Sequence, residues 1–325
     1  MKFINNKDKY LEYLTELNHT TDNPNKEEFD EAGKPKTLNI MDMSVEDLDN
    51  INIDIFEILK YKVYQVAYGY ATSLLITGQG GLGKSYDTEQ ALDDSKKPYE
   101  SISGGISTAG LFELLFTRNG EIIVFDDCDS VFDSIDSVNI LKAALDSKSI
   151  RKISRSLKTH FESKGMTLKD IMANYEGNIE KMGNKHLFDI KNKGKLPKTF
   201  PYSGRVIFIS NLSSKDIDKV IIDRASAHID VNLTHDEIIN RMKMVIDVIH
   251  PDVPKEKKYK VLQLLDYLST NYVTKKPLSI RGLLNAISTM ISHDFTTKIG
   301  GRTIPMWQVL IKQDMIGKTV TRREK

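Results

Sequence analysis

Short, predominantly apolar runs alternate along the chain with longer stretches in which apolar residues return every three or four positions. Residues 72–77 (TSLLIT), 122–125 (IIVF) and 206–210 (VIFIS) are of the first kind, and 227–231 is a further strand candidate. Runs this short, without polar alternation, predict strands buried on both faces, as in a parallel sheet. Each stops in polar residues: a glycine-rich turn after Thr77, Asp126 and Asp127 after Phe125, and Asn211 after Ser210. The carboxyl ends of parallel strands line one edge of a sheet, so these tips are expected to converge on one crevice. Helical spacing predicts helices at 84–92, 112–116, 138–146 and 215–224, crossovers for a sheet covered on both faces.

Outside this α/β region the pattern changes. Residues 9–17 are a helix candidate, followed by a polar stretch with Pro24, Gly33 and Pro35. Ser44, Val45, Glu46 and Asp47 read as a helix start, and Ile55, Phe56, Leu59, Val63 and Val66 continue at helical spacing. After Thr234 strand signals fade into helical patterns at 237–249, 258–268 and 280–291, separated by Pro251, Pro254 and Pro277. The expected division is an acidic N-terminal region at 1–43, an α/β domain at 44–232, a helical domain at 233–299 and a tail at 300–325. In the tail, Ile304, Trp307, Val309 and Leu310 read as an edge strand or a docked segment, and 319–325 as frayed.

Composition narrows the classes. The 325 residues carry 46 basic and 45 acidic side chains, so no global field steers the chain toward nucleic acid or a bilayer. Local charge is another matter. Residues 21–60 hold 11 acidic and 4 basic residues, which read as a solvated linker, or alternatively as an arm that docks on a basic face. Residues 151–205 hold 13 basic and 5 acidic residues, with Tyr175, Phe188, Phe200 and Tyr202 among them. Such an insertion suits a phosphate backbone with aromatics for stacking; a solvated insertion pairing with the acidic arm is the equal alternative. The lone Cys128 cannot form an internal disulfide, and the seven histidines show no ligand spacing. No run reaches the roughly 18 apolar residues of a membrane helix, so a cytoplasmic location without membrane contact is expected.

The chemistry lies in the turn after the first strand. Gly78, Gln79, Gly80, Gly81, Leu82, Gly83, Lys84 and Ser85 read GxxxxGK[ST], with an apolar strand before them and a helical pattern after. The glycines let the backbone curl so that successive N–H groups and the helix N-terminus face phosphates, while Lys84 extends toward the β and γ oxygens. Ser85 supplies a hydroxyl to Mg2+, and Tyr86 completes the expected nucleotide-binding set. Asp126, at a strand tip, is the expected Mg2+ carboxylate and Asp127 the group that orients the attacking water. ATP and Mg2+ are thus the expected cofactors. Asp129 reads as solvated or helix-capping, and Cys128 as packing. Tyr99, Ser101 and residues 104–107 form a candidate substrate loop.

The order GQGGLGKS, IIVFDD, VIFISN, an arginine after a short helix, and a helical segment containing SIRGLL resembles the AAA+ ATPases, in particular small bacteriophage-encoded members, over residues 50–290. The resemblance implies a P-loop NTPase fold: an α/β parallel sheet covered by helices, with a C-terminal all-helical lid. It implies Walker A at 78–85, Walker B at Asp126 and Asp127, sensor 1 at Asn211, an arginine finger at Arg224 and sensor 2 at Arg281. It also implies ATP hydrolysis by a homo-oligomer, a ring or partial ring, that moves or remodels DNA or protein, with viral DNA transactions as the setting and the host cytoplasm as the place. Many members have Asp-Glu where this chain has Asp-Asp, and a shorter base implies slow or partner-dependent hydrolysis. A surface salt bridge for Arg224 and inter-helix pairing for Arg281 are the competing readings. At the level of function, the alternatives are a protein-remodelling chaperone, a nucleotide-gated assembly switch and a small-molecule P-loop kinase.

Overall fold

The computed structural model describes residues 40–44, 53–155 and 198–317. The helix expected at 9–17, the residues after Ser44, the bulk of the basic insertion with Tyr175 and Phe188, and the tail at 319–325 lie outside the described residues. A five-stranded sheet runs in the order β2-β3-β6-β1-β7. Its strands are β1 (Ser73–Gly78), β2 (Tyr99–Ser103), β3 (Ile122–Asp126), β6 (Arg205–Ile209) and β7 (Ala227–Val231). β2 pairs parallel with β3 from Tyr99↔Ile122 to Ser103↔Asp126, and β3 with β6 from Ile122↔Arg205 to Asp126↔Ile209. Backbone bonds from Val206 N to Thr72 O and from Ser210 N to Ile76 O advance four residues on each strand, so β1 runs the same way. The strand predictions thus hold. Leu74, Leu75, Ile76, Val124, Phe125, Ile207 and Phe208 are fully buried, which is why these strands read as unbroken apolar runs.

The chain divides into two compact units. The first is Met1–Leu75, Asp87–Ile209 and Asp218–Ile229; the second is Ile76–Tyr86, Ser210–Ile217 and Asp230–Lys325. In the first, α1 (Ile55–Ala67) starts at Asp54, whose carboxylate accepts from Phe56 N at 2.8 Å. α2 (Lys84–Ser95), α3 (Thr108–Thr117) and α4 (Ile135–Leu145) follow β1, β2 and β3 in turn. Ser107 caps α3 through Gly110 N, and Leu111, Phe112, Leu115 and Phe116 form its buried face. The short helix α5 (Lys219–Arg224) is four residues shorter at its start than the spacing predicts. Asp218 caps it through Val220 N at 2.9 Å, and a turn from Asp216 N to Ser213 O occupies the residues before it.

Two strands whose bounds the sequence does not display, β4 (Arg151–Ser154) and β5 (Thr199–Tyr202), pair antiparallel from Arg151↔Tyr202 to Ser154↔Thr199. They form the stem of the basic insertion. Phe200 meets Phe112 and Phe116 edge-on, both at 5.1 Å between ring centroids. Arg151 is buried, donates to Ala144 O at 2.6 Å and to Gly204 O, and lies 4.8 Å from the Tyr202 ring centroid. Both Phe200 and Tyr202, expected as stacking aromatics, are therefore core residues with no exposed ring. Arg151 and Arg205, counted in the basic stretch, are likewise absorbed by carbonyls: Arg205 donates to Val66 O and Ala67 O at 3.0 and 2.9 Å.

The second unit carries α6 (His235–Val245), α7 (Lys255–Asn271) and α8 (Ile280–Ser292). Thr234 and Glu237 form a capping box at the start of α6. Leu283, Ala286, Ile287 and Met290 of α8 repeat at three and four residues and are buried. The unit also contains a hairpin, β8 (Thr296–Ile299) and β9 (Arg302–Pro305), so the C-terminal lid is helices plus one hairpin. Its two-residue turn is Gly300-Gly301, with φ of 58° and 75°, the left-handed region that a tight hairpin turn requires at both positions. α9 (Met306–Ile316) then buries Trp307, Ile311 and Ile316, which resolves the tail's ambiguity: Ile304 is in a strand and Trp307 in a docked helix. Among the described residues no helix is long and apolar enough to cross a membrane.

Candidate functional site

Within the second unit the turn after β1 is built around what a side chain would obstruct. Gly78 has φ of 118°, and a Cβ there would stand 2.2 Å from Val231 O. Gly81 and Gly83, at φ of 77° and 102°, continue the curl. Gly80 lets Asn211 approach: a Cβ on it would meet Asn211 Oδ1 at 2.9 Å. Leu82 is fully buried and anchors the turn from below.

Lys84 is 4% exposed, a burial that an ammonium tolerates only with oxygen partners. Its Nζ donates to Gly78 O at 2.6 Å, Gln79 O at 2.8 Å and Asn211 Oδ1 at 3.1 Å. The cation thus sits inside the glycine turn with the strand-tip asparagine beside it. Such a cradle of main-chain curl and buried positive charge fits a phosphate group. Ser85 is half-buried in the first turn of α2, and Tyr86 is 67% exposed.

Two further contacts hold this arrangement. Asp230, near the end of β7, accepts from Thr77 Oγ1 at 2.7 Å and from Ser214 Oγ at 3.0 Å, so one carboxylate ties the end of β1 to the loop that carries Asn211. Gln79 Nε2 donates to Leu278 O at 2.7 Å, and Gly81 O accepts from Ile280 N at 2.9 Å and Arg281 N at 3.4 Å. The start of α8 is thereby bonded to the turn, and Arg281, exposed, is its second residue. Neither Asp230 nor Leu278 stood out in the sequence. For Asp230 a signal existed: it sits in HIDV, an acid near a strand end, the same pattern that singles out Asp126.

In the first unit, Asp126 closes β3, half-buried, and Asp127 follows, exposed. Asp127 has φ of 54°, a left-handed conformation uncommon for a side-chain-bearing residue and most accessible to short polar ones. Its N–H donates to Ile209 O at 3.1 Å, which fixes the backbone there. Cys128 is buried, its thiol donating to Ile102 O at 3.4 Å, and burial pushes its pKa up to about 11, with Asp126 and Asp129 adding to the shift. It packs; it is not poised as a nucleophile. Tyr99 and Ser101 lie on β2 instead of in a loop, so the candidate substrate loop shrinks to 104–107, where Gly104 N donates to Asp126 O. Arg224 ends α5 with its side chain 46% exposed, 3.8 Å from Asp146 Oδ2 and 3.4 Å from Lys142 O. Among the described residues no group of three or more His, Cys, Asp or Glu is gathered to hold a metal, so an Mg2+ reading rests on Ser85 and Asp126.

No protein-family model matches the chain. A curated protein of Enterobacteria phage T4, described as an uncharacterized 36.7 kDa protein in the nrdC-mobD intergenic region, is 36% identical over 118 residues, which are 34% of this chain and 36% of that protein. The match therefore spans about a third of the curated relative. Among solved structures, the RuvB Holliday junction branch migration motor of Thermotoga maritima aligns over 83% of this chain and 71% of its own, at 12% identity and a TM-score of 0.36. A point mutant of the same motor aligns over 82% and 71%, at 10% identity and 0.40. The FIGL-1 AAA domain in complex with ADP aligns over 77% and 71%, at 11% identity and 0.34. Likeness at this level carries no functional step, and the chain's own residues must supply it.

Proposed function

We propose that this chain, a P-loop NTPase fold with a C-terminal lid, is a Mg2+-dependent ATPase of the AAA+ type that works as a homo-oligomer and moves or remodels a macromolecular substrate in a viral DNA transaction. The observation that carries the proposal is the buried Lys84 ammonium, held among Gly78 O, Gln79 O and Asn211 Oδ1 in a turn that only glycines can make. Burial alone does not mark it, since Lys258 is also buried and donates to Asp247 O and Ile249 O at 3.3 and 2.8 Å; what sets Lys84 apart is the glycine turn that surrounds it. A cation kept inside a main-chain cradle suits an anion that enters it.

On this reading the N–H groups of the 78–85 turn and the start of α2 bind the phosphates, and Lys84 neutralises charge on the β and γ oxygens. Bound Mg2+ would screen phosphate charge and orient the leaving oxygens, with Ser85 and Asp126 as the groups that hold it. Asp127 orients and polarises the attacking water, and Asn211 holds the γ-phosphate side of the site. Asp127 is shorter than the glutamate many AAA+ proteins carry, so slow basal turnover is expected. Arg281 reports the phosphates to the lid, and Arg224 completes the site of a neighbouring subunit. The sheet order supports this grouping, because β6, which leads to Asn211, stands between β1 and β3. The phage T4 relative supports the viral setting, and the basic residues of 151–205 other than the carbonyl-bound Arg151 and Arg205 support DNA over protein as substrate.

The test is ATP hydrolysis by the purified chain, alone and with single-stranded or duplex DNA. Activity stimulated by DNA is expected. Lys84→Ala should lower turnover by about 100-fold or more, the scale of losing one preorganised charged donor. Near-normal turnover in that variant would remove the site assignment, and stimulation by a protein partner alone would move the substrate from DNA to protein.

A further inference from the structure

Gln79 is tied at both of its ends. Its backbone carbonyl accepts from Lys84 Nζ at 2.8 Å, while its side-chain amide donates to Leu278 O at 2.7 Å, in the segment that leads into α8. Directly after it come two glycines, and the second, Gly81, is itself bonded through its carbonyl to Ile280 N. Two anchors on the same lid segment, at Gln79 and Gly81, therefore flank Gly80, which carries no side chain to restrict its peptide, and Gly81 is at φ of 77°.

The lid segment has room to move. A pocket of about 460 Å3, partly open to solvent, adjoins it, lined among others by Leu265, Lys275, Leu278, Arg281, Asn285 and Met315. Close-packed interiors transmit strain as rigid bodies, whereas a segment that borders a partly open pocket can shift without displacing a core. The same segment is bonded to the last turn of α9, through Lys275 N to Met315 O at 2.7 Å.

We propose that Gln79 is a positioning residue that latches the lid to the phosphate turn and releases it when a third phosphate draws Lys84 away. An ammonium has three N–H donors, so serving a γ-phosphate oxygen requires withdrawing one from the oxygens that now receive them. When the donor leaves Gln79 O, the Gln79–Gly80 peptide turns and the side-chain bond to Leu278 O opens. Linkage makes the effect reciprocal: if ATP opens the latch, a latch already open favours ATP over ADP. The inference rests on the reading of residues 78–85 as a nucleotide site.

Trp307, the single tryptophan of the chain, is buried in α9 and reports the lid by its emission. Gln79→Met keeps the length of the side chain and removes its donor. ATP should shift the emission of the unmodified protein more than ADP does. In Gln79→Met the nucleotide-free emission should already resemble the ATP-bound state. Its ratio of ATP to ADP affinity, by calorimetry, should rise about five-fold, the worth of one hydrogen bond. If Gln79→Met does not fold, Gln79→Glu, which sets a carboxylate oxygen against the Leu278 carbonyl, should give the same nucleotide-free emission. An unchanged affinity ratio with an unchanged emission response overturns the latch and leaves the nucleotide site standing. Absence of any nucleotide binding by the unmodified protein overturns both.

Discussion

Asp230 and Lys84 do related work with opposite charges. Each gathers groups distant in the chain, and each would be costly to leave unpaired. Asp230 holds Thr77 and Ser214 with its two oxygens, which sets the distance between the phosphate turn and the loop of Asn211. Asp230→Ala leaves both hydroxyls without that acceptor and should destabilise the chain by roughly 1 to 3 kcal/mol, as read by urea unfolding. Asp230→Asn keeps an acceptor for Thr77 and offers an amide that Ser214 Oγ can accept, so it should retain most stability and most nucleotide affinity. Equal losses in the two variants would mean that the carboxylate acts by charge alone. Cys128 illustrates the contrary case. It stands among Asp126, Asp127 and Asp129, yet burial and those neighbours hold its pKa near 11, so proximity to the candidate carboxylates gives it no reactivity.

Among the elements, the strands and helices differ in how openly the sequence displays them. β1, β3 and β6 are buried on both faces, and burial of that kind needs continuous apolar residues, so each was legible. β2 (YESIS) is half-exposed and mixed in composition, and β4 (RKIS) alternates buried with exposed positions inside a stretch whose charge dominates the reading. The Gly300-Gly301 turn carried a clear hairpin signal, but the four-residue strands beside it are largely exposed and show no apolar face. The start of α6 at His235, two residues before the 237 that spacing predicts, carried a capping signal that the spacing did not use. Thr234 Oγ1 accepts from Glu237 N, and Glu237 returns a bond to Thr234 N at 2.7 Å. The bonds that the Glu237 carboxylate accepts from Thr234 N and Thr234 Oγ1 lower its pKa, so their stabilisation is present above the ordinary glutamate range and fades as pH falls through the lowered value. Thr234→Ala should cost about 1 kcal/mol of stability at neutral pH, measured by urea unfolding, with a smaller difference in acid.

For the whole molecule the decisive question is whether one chain completes its own site. Arg224 is half-exposed and its contact with Asp146 is long, so its guanidinium is available to a second copy at modest cost. Arg224→Ala chains should bind ATP but hydrolyse it poorly, and Lys84→Ala chains should fail at their own turn while offering a normal arginine. Mixed together, and shown by mass to co-assemble, they should regain activity above the sum of the two; co-assembly without rescue would remove the trans role of Arg224. The sequence by itself determined the buried strands, the glycine turn with its lysine and serine, and the acids at the strand tip, because each depends on neighbours within a few residues. Only the tertiary structure decided which oxygens surround Lys84, that Asp230 binds Thr77 from 153 residues away, and that Gln79 reaches Leu278 across 199. Two of the three oxygens named for Lys84, and the one for Gln79, are backbone carbonyls, which every residue possesses, so no residue type marks them and only folding brings them into reach.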